Sequence, residues 1–151
     1  MTLSMALHGY WNKLTEIFSI EPQRFTPFNG YSIVVILMNH TTHFPIVGIG
    51  ASAGGLIEEI LIHLPDDTGM AYVIIQHLSR RFKSMMKEIL VKDTKMKVVM
   101  AENGMEVEPN HIYLIPAGNY LTIDSGKLYL KDQVEDDAPH FVIDGFLHSL
   151  G

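Results

Sequence analysis

Residues 47–55 read VGIGASAGG, and the fold turns on how that stretch is read. An apolar run from Ile46 to Ile49 ends in glycines, as a buried parallel strand does where it enters a turn. A helix is expected next, over Gly54–Leu64. There Leu56, Ile57, Ile60, Leu61 and Leu64 share one face, and Glu58 and Glu59 lie off it. Strand, glycine turn and helix form the opening of an α/β unit.

The pattern continues outward from that unit. Pro65-Asp66-Asp67 closes the helix, and Ala71–Ile75 is a second buried strand ending at Gln76-His77. A helix from about Phe82 to Leu90 carries Met85, Met86, Ile89 and Leu90 on its apolar stripe. Lys97–Met100 and His111–Ile115 read as third and fourth strands. Leu121, Ile123, Leu128 and Leu130 alternate around Asp124-Ser125-Gly126, which predicts an antiparallel hairpin. A last helix starts at about Ile143. This order predicts an α/β fold: a doubly wound, mostly parallel sheet with a hairpin near Leu121–Leu130. Residues 1–43 show no sustained period and are expected to be an extension, weakly structured or outside the domain of residues 44–151.

Composition narrows the function. The chain has 151 residues, no cysteine and a formal net charge of -6. A thiolate zinc site and a cysteine nucleophile are excluded. No basic cluster exceeds Arg80-Arg81 plus Lys83, so nucleic acid is not an expected partner. The longest apolar run, Ile33–Met38, is far shorter than the 18 or so residues of a membrane span. No signal peptide is legible, and a cytoplasmic protein without membrane insertion is the expectation. No HExxH motif occurs, and no metal or cofactor is expected.

The glycine stretch admits two chemistries. Gly48, Gly50 and Gly54 suit a turn whose backbone N–H groups hold a pyrophosphate. That reading also asks for an acid at the end of the second strand, to hold a ribose. Gln76-His77 stands there instead. The same residues spell G-x-S-x-G over Gly50–Gly54, a tight turn that exposes Ser52 at a helix N-terminus. The plain alternative is that Ser52 only caps the helix. His77 favours the nucleophile. Strands joined by one right-handed crossover lie side by side, with ends about 4.8 Å apart. Ser52 and His77 each follow such an end, within reach of one hydrogen bond. His63 borders an apolar helix face and His111 opens a strand, where local packing or bonding is the simpler role. His8, His40, His43, His140 and His148 show no motif spacing.

GIGASAGG, then VIIQHLSRRFKSMMKEIL, then NGMEVEPNHIYLIPAGNYLTI together resemble the catalytic domain of CheB-type protein-glutamate methylesterases. The resemblance covers about Phe44 to Leu150, and Lys83–Met85 with GMEVEPNHIYLIP is most like the branch without a receiver domain. It implies a Rossmann-like methylesterase fold that hydrolyses glutamyl methyl esters of chemoreceptors, or deamidates their glutamines, in bacterial chemotaxis and two-component signalling. It implies Ser52 as nucleophile and His77 as general base, with the backbone at Ala53 and Gly54 shaping the turn and the oxyanion site. Its implied partners are a methylated chemoreceptor or other signalling protein, and fused or associated methyltransferase and sensor domains.

Ala53 stands where threonine is frequent in that family, and residues 1–43 do not resemble a receiver domain. The family's aspartate lies in a later Ser-Gly-x-Gly-x-Asp-Gly-like loop, and no such motif occurs among these residues. Asp144 belongs to the preceding helix; Asp124, Asp136 and Asp137 read as turn and surface positions. The expectation is therefore a domain truncated at its C-terminus, without the triad aspartate and with negligible activity. A non-catalytic signalling module on the same fold is the alternative.

Overall fold

The structure is a computed structural model, and it describes residues 33–38, 42–51, 61–62, 64–76, 85–134 and 140–150. Eight strands and two helices are defined there: β1 (Ile33–Met38), β2 (Ile46–Ala51), β3 (Ala71–Gln76), α1 (Met86–Asp93), β4 (Lys97–Met100), β5 (Met105–Glu106), β6 (His111–Leu114), β7 (Asn119–Asp124), β8 (Lys127–Asp132) and α2 (His140–Leu150). They build a five-stranded sheet in the order β1-β2-β3-β6-β4 and a three-stranded sheet in the order β5-β8-β7. β2, β3, β6 and β4 run parallel; β1 is antiparallel to β2.

β3 shows why the central sheet forms. Its first five residues are buried, which requires cover on both faces of the sheet. On one face Val47, Ile49, Tyr72, Ile74, Ile112 and Leu114 pack with Leu61, Met86 and Leu90. On the other, Val73, Ile75 and Tyr113 pack with Val142 and Phe146 of α2 and with Leu121, Ile123 and Leu128 of the small sheet. Strand residues two apart share a face, so β2, β3, β6 and β4 each supply both cores.

The small sheet shows the expected alternation. Leu121 and Ile123 of β7 and Leu128 of β8 are buried, and Thr122, Asp124, Lys127 and Tyr129 between them are exposed. The turn takes positive φ at Ser125 (50°) and Gly126 (77°), the two-residue turn whose twist suits a hairpin. The sheet has a third strand that sequence reading missed, β5, whose two residues pair with Glu106 opposite Lys127 and Met105 opposite Leu128. The order of the large sheet also departs from chain order, because β6 inserts between β3 and β4.

The expected extension needs a correction over residues 33–38. They form β1 and pair with β2 along its whole length, from Ile33 opposite Ala51 to Met38 opposite Ile46. The physical reason is visible in the residues. Ile33, Val34, Val35 and Ile36 are β-branched in a continuous apolar run, a buried-strand signal. At 6 residues the run is too short for a membrane span and ordinary for a strand. Residues 1–32 lie outside the described residues. So does the helix expected at 54–64, apart from Leu61, Ile62 and Leu64. The second helix is described from Met86 and runs to Asp93, three residues past its expected end.

Candidate functional site

In a parallel sheet flanked by helices, ligands and catalytic groups gather beyond the carboxyl ends of the strands. Here β2 and β3 leave the sheet at one level. Their pairing runs in register from Ile46 opposite Ala71 to Ala51 opposite Gln76. Ser52 and His77 are the next residues in the chain after those two partners. Ser52, Ala53, Gly54 and His77 themselves lie outside the described residues.

The strand leading into Ser52 is held by α2. A Cβ built on Gly50 would lie 2.5 Å from Cγ2 of Ile143 and 3.6 Å from its Cβ. Ile143 is β-branched and stiff at χ1, so it cannot swing aside cheaply. Gly50, read from sequence as a turn-shaping residue, is thus also the point where a helix meets a strand. A glycine inside an apolar strand was the only available sign of that close approach. Ser149, also missed, ties the other end of α2 to β7. Its Oγ accepts from the Ile123 N–H at 3.0 Å and donates to the Phe146 carbonyl at 2.7 Å.

The other candidates lie elsewhere. His111 opens β6, at the end of the sheet opposite Gln76. Its Nδ1 lies 2.7 Å from the Pro109 carbonyl, its Nε2 lies 3.4 Å from Glu108, and its ring stacks on Tyr113 at 6.0 Å. The local role expected for it is the one found. His43 and His148 are exposed. Asp124 is exposed at the hairpin turn and accepts from Ser125 Oγ at 3.0 Å, as its turn reading anticipated. His140 and Asp144 lie in the first turns of α2. His8, His40, His63, Asp136 and Asp137 lie outside the described residues.

Among the described residues, the perturbed acids are tyrosines that lie away from the last residues of β2 and β3. Burial raises Tyr72 to about 12, against a hydrogen bond with Thr68 that acts to lower it. Burial also raises Tyr113, whose hydroxyl accepts from the Glu108 N–H at 2.8 Å. Neither is poised as a base or nucleophile near neutral pH. Among the described residues no group of three or more His, Asp or Glu side chains is placed to hold a metal ion. None of their helices is long and apolar enough to cross a membrane.

A family model described as CheB methylesterase matches residues 47–151. The chain belongs to the CheB methylesterase family. It is 33% identical over 149 residues to protein-glutamate methylesterase/protein-glutamine glutaminase 1 of Carboxydothermus hydrogenoformans, a match covering 88% of this chain and 43% of that protein. It is 31% identical over 150 residues to the protein-glutamate methylesterase/protein-glutamine glutaminase of Nitrosomonas europaea, covering 91% of this chain and 42% of that one. The chain thus spans less than half the length of these relatives. Its fold is similar to the CheB methylesterase catalytic domain of Thermotoga maritima, with a TM-score of 0.53 at 23% identity. That likeness covers 64% of this chain and 53% of the other. The parallel sheet with a separate antiparallel sheet is the fold of that catalytic domain.

Proposed function

We propose that this chain carries the nucleophile and general base of a protein-glutamate methylesterase, with Ser52 and His77 in those roles. The observation that carries the reading is the pairing of Ala51 with Gln76 at the carboxyl ends of neighbouring parallel strands. One residue further along each strand, the chain supplies a serine and a histidine. The G-x-S-x-G spelling and the family membership support the same roles.

The chemistry is acyl transfer. His77 takes the proton of Ser52 Oγ as the oxygen attacks the ester carbonyl of a glutamyl methyl ester. The C–O bond to the methoxy group breaks, and the proton held by His77 leaves with it as methanol. Water, deprotonated by His77, then cleaves the glutamyl-serine ester, releasing a glutamate side chain and restoring Ser52. Backbone N–H groups at Ala53 and Gly54 are the proposed oxyanion donors. A glutamine side chain would follow the same path with ammonia leaving. The substrate class is a methylated chemoreceptor or comparable signalling protein in the cytoplasm, and methyltransferase and sensor domains are proposed as associated partners. The chemistry needs no cofactor.

An aspartate that orients the histidine is worth about 10⁴ in turnover in serine–histidine systems. The motif that would supply it is not among these residues, so polypeptide 1–151 is expected to turn over slowly while Ser52 remains a nucleophile. A fluorophosphonate probe followed by peptide mass mapping tests this. Modification at Ser52, slowed at least tenfold in His77→Ala, is the expected result. Labelling spread over other serines, or unchanged in His77→Ala, contradicts the reading.

A further inference from the structure

The sheet fixes the end of β2 within its own plane and leaves the perpendicular direction to α2. Gly50 pairs with Val34 of β1 on one side and with Ile75 of β3 on the other, so both neighbours resist movement within the sheet. By alternation Gly50 shares a face with Ile46, which belongs to the core that α2 covers. On that face Ile143 stands against it. The place a Gly50 Cβ would take lies 2.5 Å from Cγ2 of Ile143, 3.5 Å from its Cγ1 and 3.6 Å from its Cβ.

Ordinary core packing by α2 is carried by other side chains. Val142, Phe146 and Leu150 are buried, and Ile143 is only half-buried. Its γ carbons instead meet a strand backbone two residues before Ser52. A β-branched side chain in a helix has one strongly preferred χ1 rotamer, so this contact is stiff.

We infer that Ile143 is a positioning residue for the nucleophile. Its Cγ2 methyl, seated where a Gly50 Cβ would be, sets how far the end of β2 stands from α2, and so the reach of Ser52 Oγ toward His77. This rests on the proposed esterase reading and adds to it a residue from a different element. The lever is short. Two residues from Gly50 to Ser52 are at most about 7 Å of chain. A displacement of about 1 Å at a reacting group can cost about 10²-fold in rate.

The test is the rate at which a fluorophosphonate modifies Ser52 in the full chain. Varying the probe concentration separates the maximal rate from half-saturation, and thermal melting is read beside it. Ile143→Leu keeps the side-chain volume and suits a helix at least as well, but it has no methyl on Cβ. Ile143→Val is smaller and keeps both γ carbons. Ser149→Ala, which loosens the other end of α2, is the control.

Ile143→Leu is expected to lower the maximal rate about tenfold, with half-saturation within about twofold. Ile143→Val is expected to rescue the rate to within about twofold of wild type, and the control to stay within the same margin. A packing role alone gives the opposite order, because leucine keeps more apolar surface and more helix propensity than valine. His77→Ala should also cost less on the Ile143→Leu background than in wild type, because a displaced hydroxyl gains less from its base. Rates that follow melting temperature, a leucine variant as fast as the valine one, or full additivity with His77→Ala overturns the inference. With wild-type modification at Ser52 intact, such a result leaves the esterase reading standing. No modification of Ser52 in the wild type overturns both.

Discussion

The two ends of the parallel sheet are built differently. At the amino end, hydrogen bonds from side chains and loops pin the strands. Asn110, held at a φ of 59°, accepts from the Gly69 N–H at 2.8 Å through Oδ1, and its own N–H donates to the Met70 carbonyl at 2.8 Å. Buried Thr68 and Tyr72 share a 2.7 Å hydrogen bond, and the Ala71 N–H reaches the Pro45 carbonyl at 3.0 Å. At the carboxyl end of β2 the defined anchor is apolar: Ile143 seated on Gly50. The motif residues of the proposed chemistry follow that end. In parallel sheets the loops beyond the carboxyl ends of the strands are where function is carried.

The contrast yields graded predictions. Gly50→Ala should cost about 3 kcal/mol or more, because overpacking against a β-branched side chain forces both backbones apart. Urea unfolding measures it, and Ile143→Ala on the Gly50→Ala background should recover part of the loss. Full independence of the two changes would remove α2 as the anchor of β2.

Tyr72 gives the next effect. Its folded value near 12 lies above the ordinary 10, so the folded chain keeps a proton that the unfolded chain releases. The stabilisation is complete below about pH 10 and is lost as pH rises through about 12, a total of roughly 2–3 kcal/mol. Tyr72→Phe should flatten that alkaline loss, read from melting temperatures between about pH 8 and pH 12.

Asn110→Ala should cost about 1–2 kcal/mol from the lost Gly69 partner and the left-handed backbone. Asn110→Gly relieves the backbone part and isolates the hydrogen bond. Ser149→Ala, which removes an acceptor from the Ile123 N–H, should cost about 1 kcal/mol. If the Asn110 and Ser149 variants cost the same, the amino end has no special share in holding the sheet.

Much of the carboxyl end was legible in the sequence, for a physical reason. A buried parallel strand needs a continuous apolar run, and the turn after it needs glycines. Ile46–Ile49, Ala71–Ile75 and the glycines from Gly48 therefore announced both strands and their crossover. The hairpin was legible from period-two alternation and its Ser125-Gly126 turn. β1 escaped because its apolar run has no helix-linked neighbour and pairs antiparallel with β2. β5 is two residues long and has no periodicity to detect. The seat of Ile143 on Gly50 joins positions far apart in the chain, and no local pattern encodes that. Ser52 and His77 were proposed from spacing and resemblance; the register of Ala51 with Gln76 supplies the strand ends that the spacing argument required.

The central claim is that those strand ends bring positions 52 and 77 together. The chain has no cysteine, so a double variant reports on that pair alone. Ser52→Cys/His77→Cys under mild oxidation, followed by non-reducing electrophoresis and mass spectrometry, is the most direct measurement. A disulfide needs Cα atoms about 4.4–6.8 Å apart, close to one strand spacing. Rapid intramolecular bond formation is predicted, with Ser52→Cys/His111→Cys, spanning opposite ends of the sheet, remaining reduced. If the 52–77 pair stays as reduced as that control, the two residues do not share a site, and the nucleophile–base assignment is wrong.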